Sequence, residues 1–193
     1  MKKPAAEELV QVCERLMPCN GPRHETPIPS DTIRLWMKSP SLDVQAVVYD
    51  FVMDPENAMR ITPPLTFNDY RYFVPNYLFR CLAEDPVSEW AATRFQAGNE
   101  LLNWFGIIWD DLSIEKEALH EAETLLRTLC LDHGPEVRRV VIQEVLEHLF
   151  ENRSVRAFFA QWKEDPVLHD VYEEADEWQR LGGRSPLSPK GSR

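Results

Sequence analysis

The fold is decided by SIEKEALHEAETLLRTL, residues 113–129. Its apolar side chains fall at Ile114, Ala118, Leu119, Ala122, Leu125, Leu126 and Leu129. That stripe has a period near 3.6 and places one face of a helix on a core. Ser113 is placed to cap it, because a hydroxyl can accept an orphan N–H of the first turn. The next stretch repeats the pattern through Val137, Val141, Val145, Leu146 and Leu149, with Pro135 where a first turn needs no donor. Leu131 to Gly134 is then a short turn, and the two helices should form an antiparallel hairpin.

Working outward, Asp-Pro recurs at Asp54-Pro55, Asp85-Pro86 and Asp165-Pro166. Asp caps and Pro suits the first helical position, so the last two pairs read as helix starts. Val87, Trp90, Ala91 and Phe95 follow the first of these, and Leu168, Val171, Tyr172, Ala175 and Trp178 follow the second. Gly182 is positioned to end that last helix. Further helices are expected at 5–17, 30–38, 41–53 and 66–83, with a proline-rich loop from Pro18 to Pro29. Nothing alternates with period two for long, and few glycines serve turns. The chain therefore reads as all-α: a compact single-domain bundle of about seven to nine helices over residues 1–181. A flexible, disordered basic tail over 182–193 should follow it.

Composition bounds the function. The chain carries 32 acidic and 21 basic side chains, for a net charge of −11. Arg184, Lys190 and Arg193 lie in the tail, so residues 1–181 hold all 32 acids against 18 bases. Such a body repels phosphate backbones and anionic membranes, which argues against a nucleic-acid or membrane partner. No apolar run approaches the ~18 residues of a membrane span. The start, Met1-Lys2-Lys3-Pro4, leads into an amphipathic stretch with no apolar signal core. The four cysteines, Cys13, Cys19, Cys81 and Cys130, are then expected as reduced thiols in a cytoplasmic protein.

Pro64 to Leu82 is the most distinctive segment. Thr66 and Asp69 have capping-box spacing, Leu65 can act as a staple, and Pro75 should kink the helix they open. Phe67, Tyr70, Phe73 and Tyr77 lie three or four apart and face one way, with Arg71 and Tyr72 towards other faces. The string over residues 65–78, carried by Thr66, Arg71, Tyr72, Pro75 and Tyr77, resembles a motif of small uncharacterised bacterial all-helical proteins. In these, LT…RYYLPAYM-like strings open a helix. Similar strings occur in helical proteins suspected of serving as immunity or partner-binding modules. Phe67 stands where that pattern has proline. The resemblance implies kinship of fold and brings no chemistry with it.

Catalytic anchors are missing from the sequence. It has no Gly-x-Ser-x-Gly elbow, phosphate-cradling glycine loop or His-Glu-x-x-His, and its five histidines are scattered. No cofactor or metal is implied. A rival reading places a metal-dependent enzyme on Glu117, His120, Glu144 and His148, because Glu117-x-x-His120 has the spacing used in di-iron bundles. Gly134 to Arg139 looks like the opening of a HEAT-type helix, a second alternative that would make the chain a helical-repeat scaffold. The run from Glu164 to Glu177 carries seven acids and no Lys or Arg. Its members Glu173, Glu174, Asp176 and Glu177 are the candidate partner-binding residues. The expected function is a non-enzymatic protein-binding module, immunity-like or regulatory, that offers an acidic surface to a basic partner.

Overall fold

Helices dominate the described residues: the protein is all-α. The computed structural model describes residues 3–17, 26–111 and 116–181. The expected Ser113 cap, Cys19, most of the proline-rich loop and the tail from Gly182 lie outside the described residues. Two compact units meet at the Thr93–Arg94 bond. No proline- or glycine-rich linker marks that bond in the sequence.

In the first unit, α1 (Lys3–Leu16), α2 (Ser30–Met37), α4 (Pro55–Ala58) and α5 (Phe67–Glu84) pack against α3 (Leu42–Met53) or its neighbours. The sequence makes α3 the hub. It buries Val44, Ala46, Val47, Val48, Tyr49, Phe51 and Val52, which leaves little of its surface to water. A helix apolar almost all round must sit inside. Ser41 caps α3, its Oγ accepting from the Val44 N–H at 3.4 Å. Asp54 caps α4 with Pro55 in the first turn, its carboxylate accepting from Glu56 N at 2.8 Å. The Asp-Pro pair left out of the expected helix starts is therefore one that opens a helix. Two short strands, β1 (Ile28–Pro29) and β2 (Ile61–Thr62), pair in parallel and tie the start of α2 to the chain before α5.

Asp85-Pro86 does not start a helix. Asp85 takes a left-handed backbone (φ 49°) and terminates α5, its N–H donating to Cys81 O at 3.1 Å. Asp tolerates that region better than most residues, so the same residue type can mark either end of a helix. Irregular chain follows, with Ser88 Oγ accepting from Trp90 N and Ala91 N, and Ala92 N donating to the Tyr77 hydroxyl. Val87 and Trp90 are consequently exposed rather than on a buried stripe, and Phe95 is exposed in the first turn of the next helix.

The second unit opens with α6 (Arg94–Asp110), whose Ala97, Gly98, Leu101, Trp104, Phe105 and Ile108 line one buried face. α7 (Lys116–Asp132) buries Ala118, Ala122, Leu126 and Leu129 of the expected stripe. α7 runs to Asp132, so only His133 separates it from α8 (Gly134–Val140). α8 then continues without a break through a π-helical segment (Val141–Leu146) into α9 (Glu147–Leu149). The apolar spacing explains that widening. Val137, Val141, Val145 and Leu149 recur every four residues, and on a 3.6-residue helix each step drifts by about 40°. Wider i→i+5 turns offset the drift and keep all four side chains buried.

Asn152 caps α10 (Arg153–Phe158), which tightens into a 3-10 segment (Phe159–Lys163). Asp165 caps as expected, accepting from Val167 N and Leu168 N at 2.9 and 3.2 Å, but α11 (His169–Leu181) starts one turn later. Phe105, Phe150, Phe159, Trp162 and Tyr172 form the aromatic centre of this unit, with ring centroids 4.8–5.9 Å apart between neighbours. Such spacing suits tilted and edge-on aromatic contact.

Candidate functional site

The acid surplus is uneven along the chain. Residues 1–93 hold 13 acids and nine bases, whereas residues 94–181 hold 19 acids and nine bases. On α11 the buried side chains Val171, Tyr172, Ala175 and Asp176 define the inner face. Asp170, Glu173 and Glu177, three and four residues apart, are exposed along the outer one. Glu174 is half-buried at its edge.

Of the four candidate residues, Asp176 stands apart. It is 3% exposed and accepts from Arg156 Nη1 at 2.9 Å and from Arg180. Its charge is spent inside the fold. Glu173 lies 4.0 Å from Lys163 and Glu174 lies 3.8 Å from Arg138, separations that give weak, screened pairs at the surface. Apart from Arg180 of α11 itself, the cations that answer this acidic run thus arrive from other elements, which the run does not reveal. The exposed face is Asp170, Glu173 and Glu177.

The residues of the rival metal reading are not brought together. Among the described residues, no group of three or more His, Cys, Asp or Glu is placed to hold a metal ion. The His120 ring packs on Phe158 at 5.3 Å, and His148 Nδ1 sits 3.3 Å from Glu151 Oε1. Burial raises the carboxyl pKa values of Glu144 and Glu147. Burial likewise pushes the Cys81 and Cys130 thiols up to about 11 and about 12, which keeps both protonated and unreactive at neutral pH.

The distinctive motif splits between interior and surface. Tyr77 is buried, its ring 4.8 Å from Tyr49 and 6.2 Å from Phe73. Pro75 lies inside α5. Thr66 caps α5: its N–H and hydroxyl donate to Asp69 Oδ2 at 2.8 and 2.9 Å. Phe67 is exposed and leaves the expected aromatic face, of which Phe73 and Tyr77 are the buried part. Tyr72 is 58% exposed, with the Arg71 guanidinium 5.7 Å from its ring centre.

Tyr72 also lines a groove of about 400 Å³. One wall comes from α5, where Asn68, Asp69, Tyr72, Phe73 and Asn76 share a face; the other is Arg34 and Met37 of α2, with Lys38 just beyond. Gln45 of α3 closes the lining. Arg34 and Asp69 fasten the walls together, with Nε to Oδ1 at 2.8 Å and Nη2 to Oδ2 at 3.1 Å. Arg34 Nη1 also donates to Ser30 Oγ and Asp31 Oδ1. Bidentate donation from Arg34 holds the Asp69 carboxyl well below the ordinary carboxylate range, and Asp69 in turn raises the guanidinium. Gln45 is equally committed: Nε2 donates to Met37 O and Ser39 O, and Oε1 accepts from Arg80.

No family model, curated protein or solved structure matches this chain.

The two surfaces thus rest on chemistry and geometry alone. Sequence reading reached the acidic stripe through its charge run. It missed the groove, although the i, i+1, i+4, i+5, i+8 spacing of Asn68, Asp69, Tyr72, Phe73 and Asn76 marks a shared face. The opposing wall lies more than 30 residues earlier in the chain, and helical periodicity does not tell which helix faces which. Among the described residues, no helix is long and apolar enough to cross a membrane.

Proposed function

We propose that the protein is a non-enzymatic binding module that offers the outer face of α11 to a basic protein partner, as an immunity or regulatory protein does when it masks a basic surface. The observation that carries this reading is the exposed line of Asp170, Glu173 and Glu177 on the more acidic unit. Like charges at these spacings weaken a helix slightly when nothing answers them. A cationic partner reverses that cost and gains steering over distances near the Debye length.

Affinity capture with the full chain, repeated with Glu173→Lys/Glu177→Lys, tests the reading. Both side chains are exposed, so circular dichroism should be unchanged. The expected result is that partners retained by the native chain are basic, are released by salt, and are lost with the double variant. An identical set of captured partners with both proteins would remove α11 as the interface.

A further inference from the structure

We propose that the groove between α2 and α5 is a binding site for a small carboxylic acid with a flat or branched apolar body. The inference is independent of the acidic-face reading, since every lining residue belongs to the first unit.

The size and lining of the groove set the ligand class. Its volume of about 400 Å³ lies at the lower end of small-molecule pockets. Met37 and Phe73, both buried, supply apolar surface within the groove, and the largely exposed Tyr72 ring supplies more. A concave apolar surface with a large aromatic left to water gains by taking up hydrocarbon.

The polar groups divide into those already committed and those left over. Arg34, Asp69 and Gln45 are bonded to one another's elements and hold the walls in place. The Asn76 amide nitrogen donates to Tyr72 O. Among the described residues, the Lys38 ammonium makes no ion pair and the Asn68 amide makes no hydrogen bond. The Asp69 carboxylate, the only acid in the lining, is already held by Arg34 and Thr66.

The uncommitted set is therefore one cation with the neutral Asn68 amide and Tyr72 hydroxyl, which selects a monoanion. A phosphate ester would leave charge unanswered on a single lysine. A ligand ammonium would meet Lys38 with no free acid to balance it. A carboxylate takes one charge-assisted hydrogen bond from Lys38 Nζ and a second from the Asn68 amide, while its body covers Met37, Tyr72 and Phe73.

Isotope-edited NMR titration of the full chain tests this with three probes of matched body: phenylacetate, phenylacetamide and phenethylamine. Phenylacetate should give saturable shifts confined to the amides of residues 34–45 and 68–76. The amide and the amine should bind about tenfold or more weakly, the loss of one charged hydrogen bond. Lys38→Gln should lower the affinity for phenylacetate to that of phenylacetamide while leaving phenylacetamide unaffected. Tyr72→Ala should weaken both. Lys38 and Tyr72 are exposed, so both variants should melt as the native chain does. The proposal is overturned by any of three results: no saturable shift with phenylacetate, shifts lying outside the groove, or equal affinity for phenylacetate and phenylacetamide.

Discussion

Asp176 and Arg156 meet inside the second unit, the carboxylate accepting from Nη1 at 2.9 Å with almost none of its surface in water. Its immediate neighbour on the same helix, Glu177, faces solvent. Asp176→Asn leaves Arg156 with a neutral partner in a partly buried place, and should cost about 1–3 kcal/mol of stability. Glu177→Gln should stay within about 0.5 kcal/mol of the native chain. Denaturant midpoints of the two variants check the contrast. Equal midpoints would mean that the buried carboxylate contributes no more than the exposed one.

Arg34 and Asp69 give the first unit an acid-sensitive fastening. Its folded carboxyl is depressed, so the stabilisation is complete above the unfolded Asp value of about 4 and is lost progressively as pH falls below it. Asp69→Asn should be less stable than the native chain at neutral pH, and the gap should narrow as the buffer is acidified from about pH 5 to about pH 2. Urea unfolding across that range reads it. A constant gap would show that ionisation of Asp69 contributes nothing to stability.

Helices were legible wherever a stripe was long and its start marked. The reading of 41–53 matches Leu42–Met53, and that of 66–83 matches Phe67–Glu84 to a residue at each end. Asp-Pro pairs were less informative, because Asp54 caps α4 through its side chain whereas Asp85 terminates α5 through its backbone. Only the backbone sign at Asp85, which depends on where the chain turns next, separates the two. The π-helical stretch did carry a signal, the strict four-residue spacing of Val137, Val141, Val145 and Leu149. Charge was legible as a sum but not as a surface: nothing near Asp176 in sequence, apart from Arg180, announces that it is neutralised. The groove was least legible of all, since Lys38 and Tyr72 line it from helices that pack on α3 and are joined by the Arg34–Asp69 bridge, contacts between distant parts of the chain.

Two glycines of α6 make opposite demands. An added Cβ at Gly106 meets nothing within 4 Å, whereas at Gly98 it would lie 3.1 Å from Glu144 Cβ and 3.4 Å from Val140 Cγ1. Gly106→Ala should therefore stabilise by about 0.5–1 kcal/mol, the usual return on replacing a mid-helix glycine. Gly98→Val should destabilise by about 1–3 kcal/mol through overpacking against the rod of α8 and the π segment. Thermal melts of both variants check the signs. A stabilising Gly98→Val would mean that α6 can shift away from Glu144 at little cost.

Trp162 and Glu123 test how the second core tolerates a charged side chain. The indole Nε1 donates to Glu123 Oε1, and both residues are buried. Trp162→Phe keeps an aromatic ring and removes the donor, which should cost about 1–3 kcal/mol beyond the lost volume, because the carboxylate stays in place without its partner. Glu123→Leu removes the acceptor instead and leaves the indole N–H unanswered. The double variant has neither group, so its cost should fall short of the two single costs combined by about 1 kcal/mol or more, the coupling expected of residues in direct contact. Unfolding free energies of the four proteins close the cycle. Additivity to within about 0.5 kcal/mol would show that the pair packs together without a hydrogen bond that matters to stability.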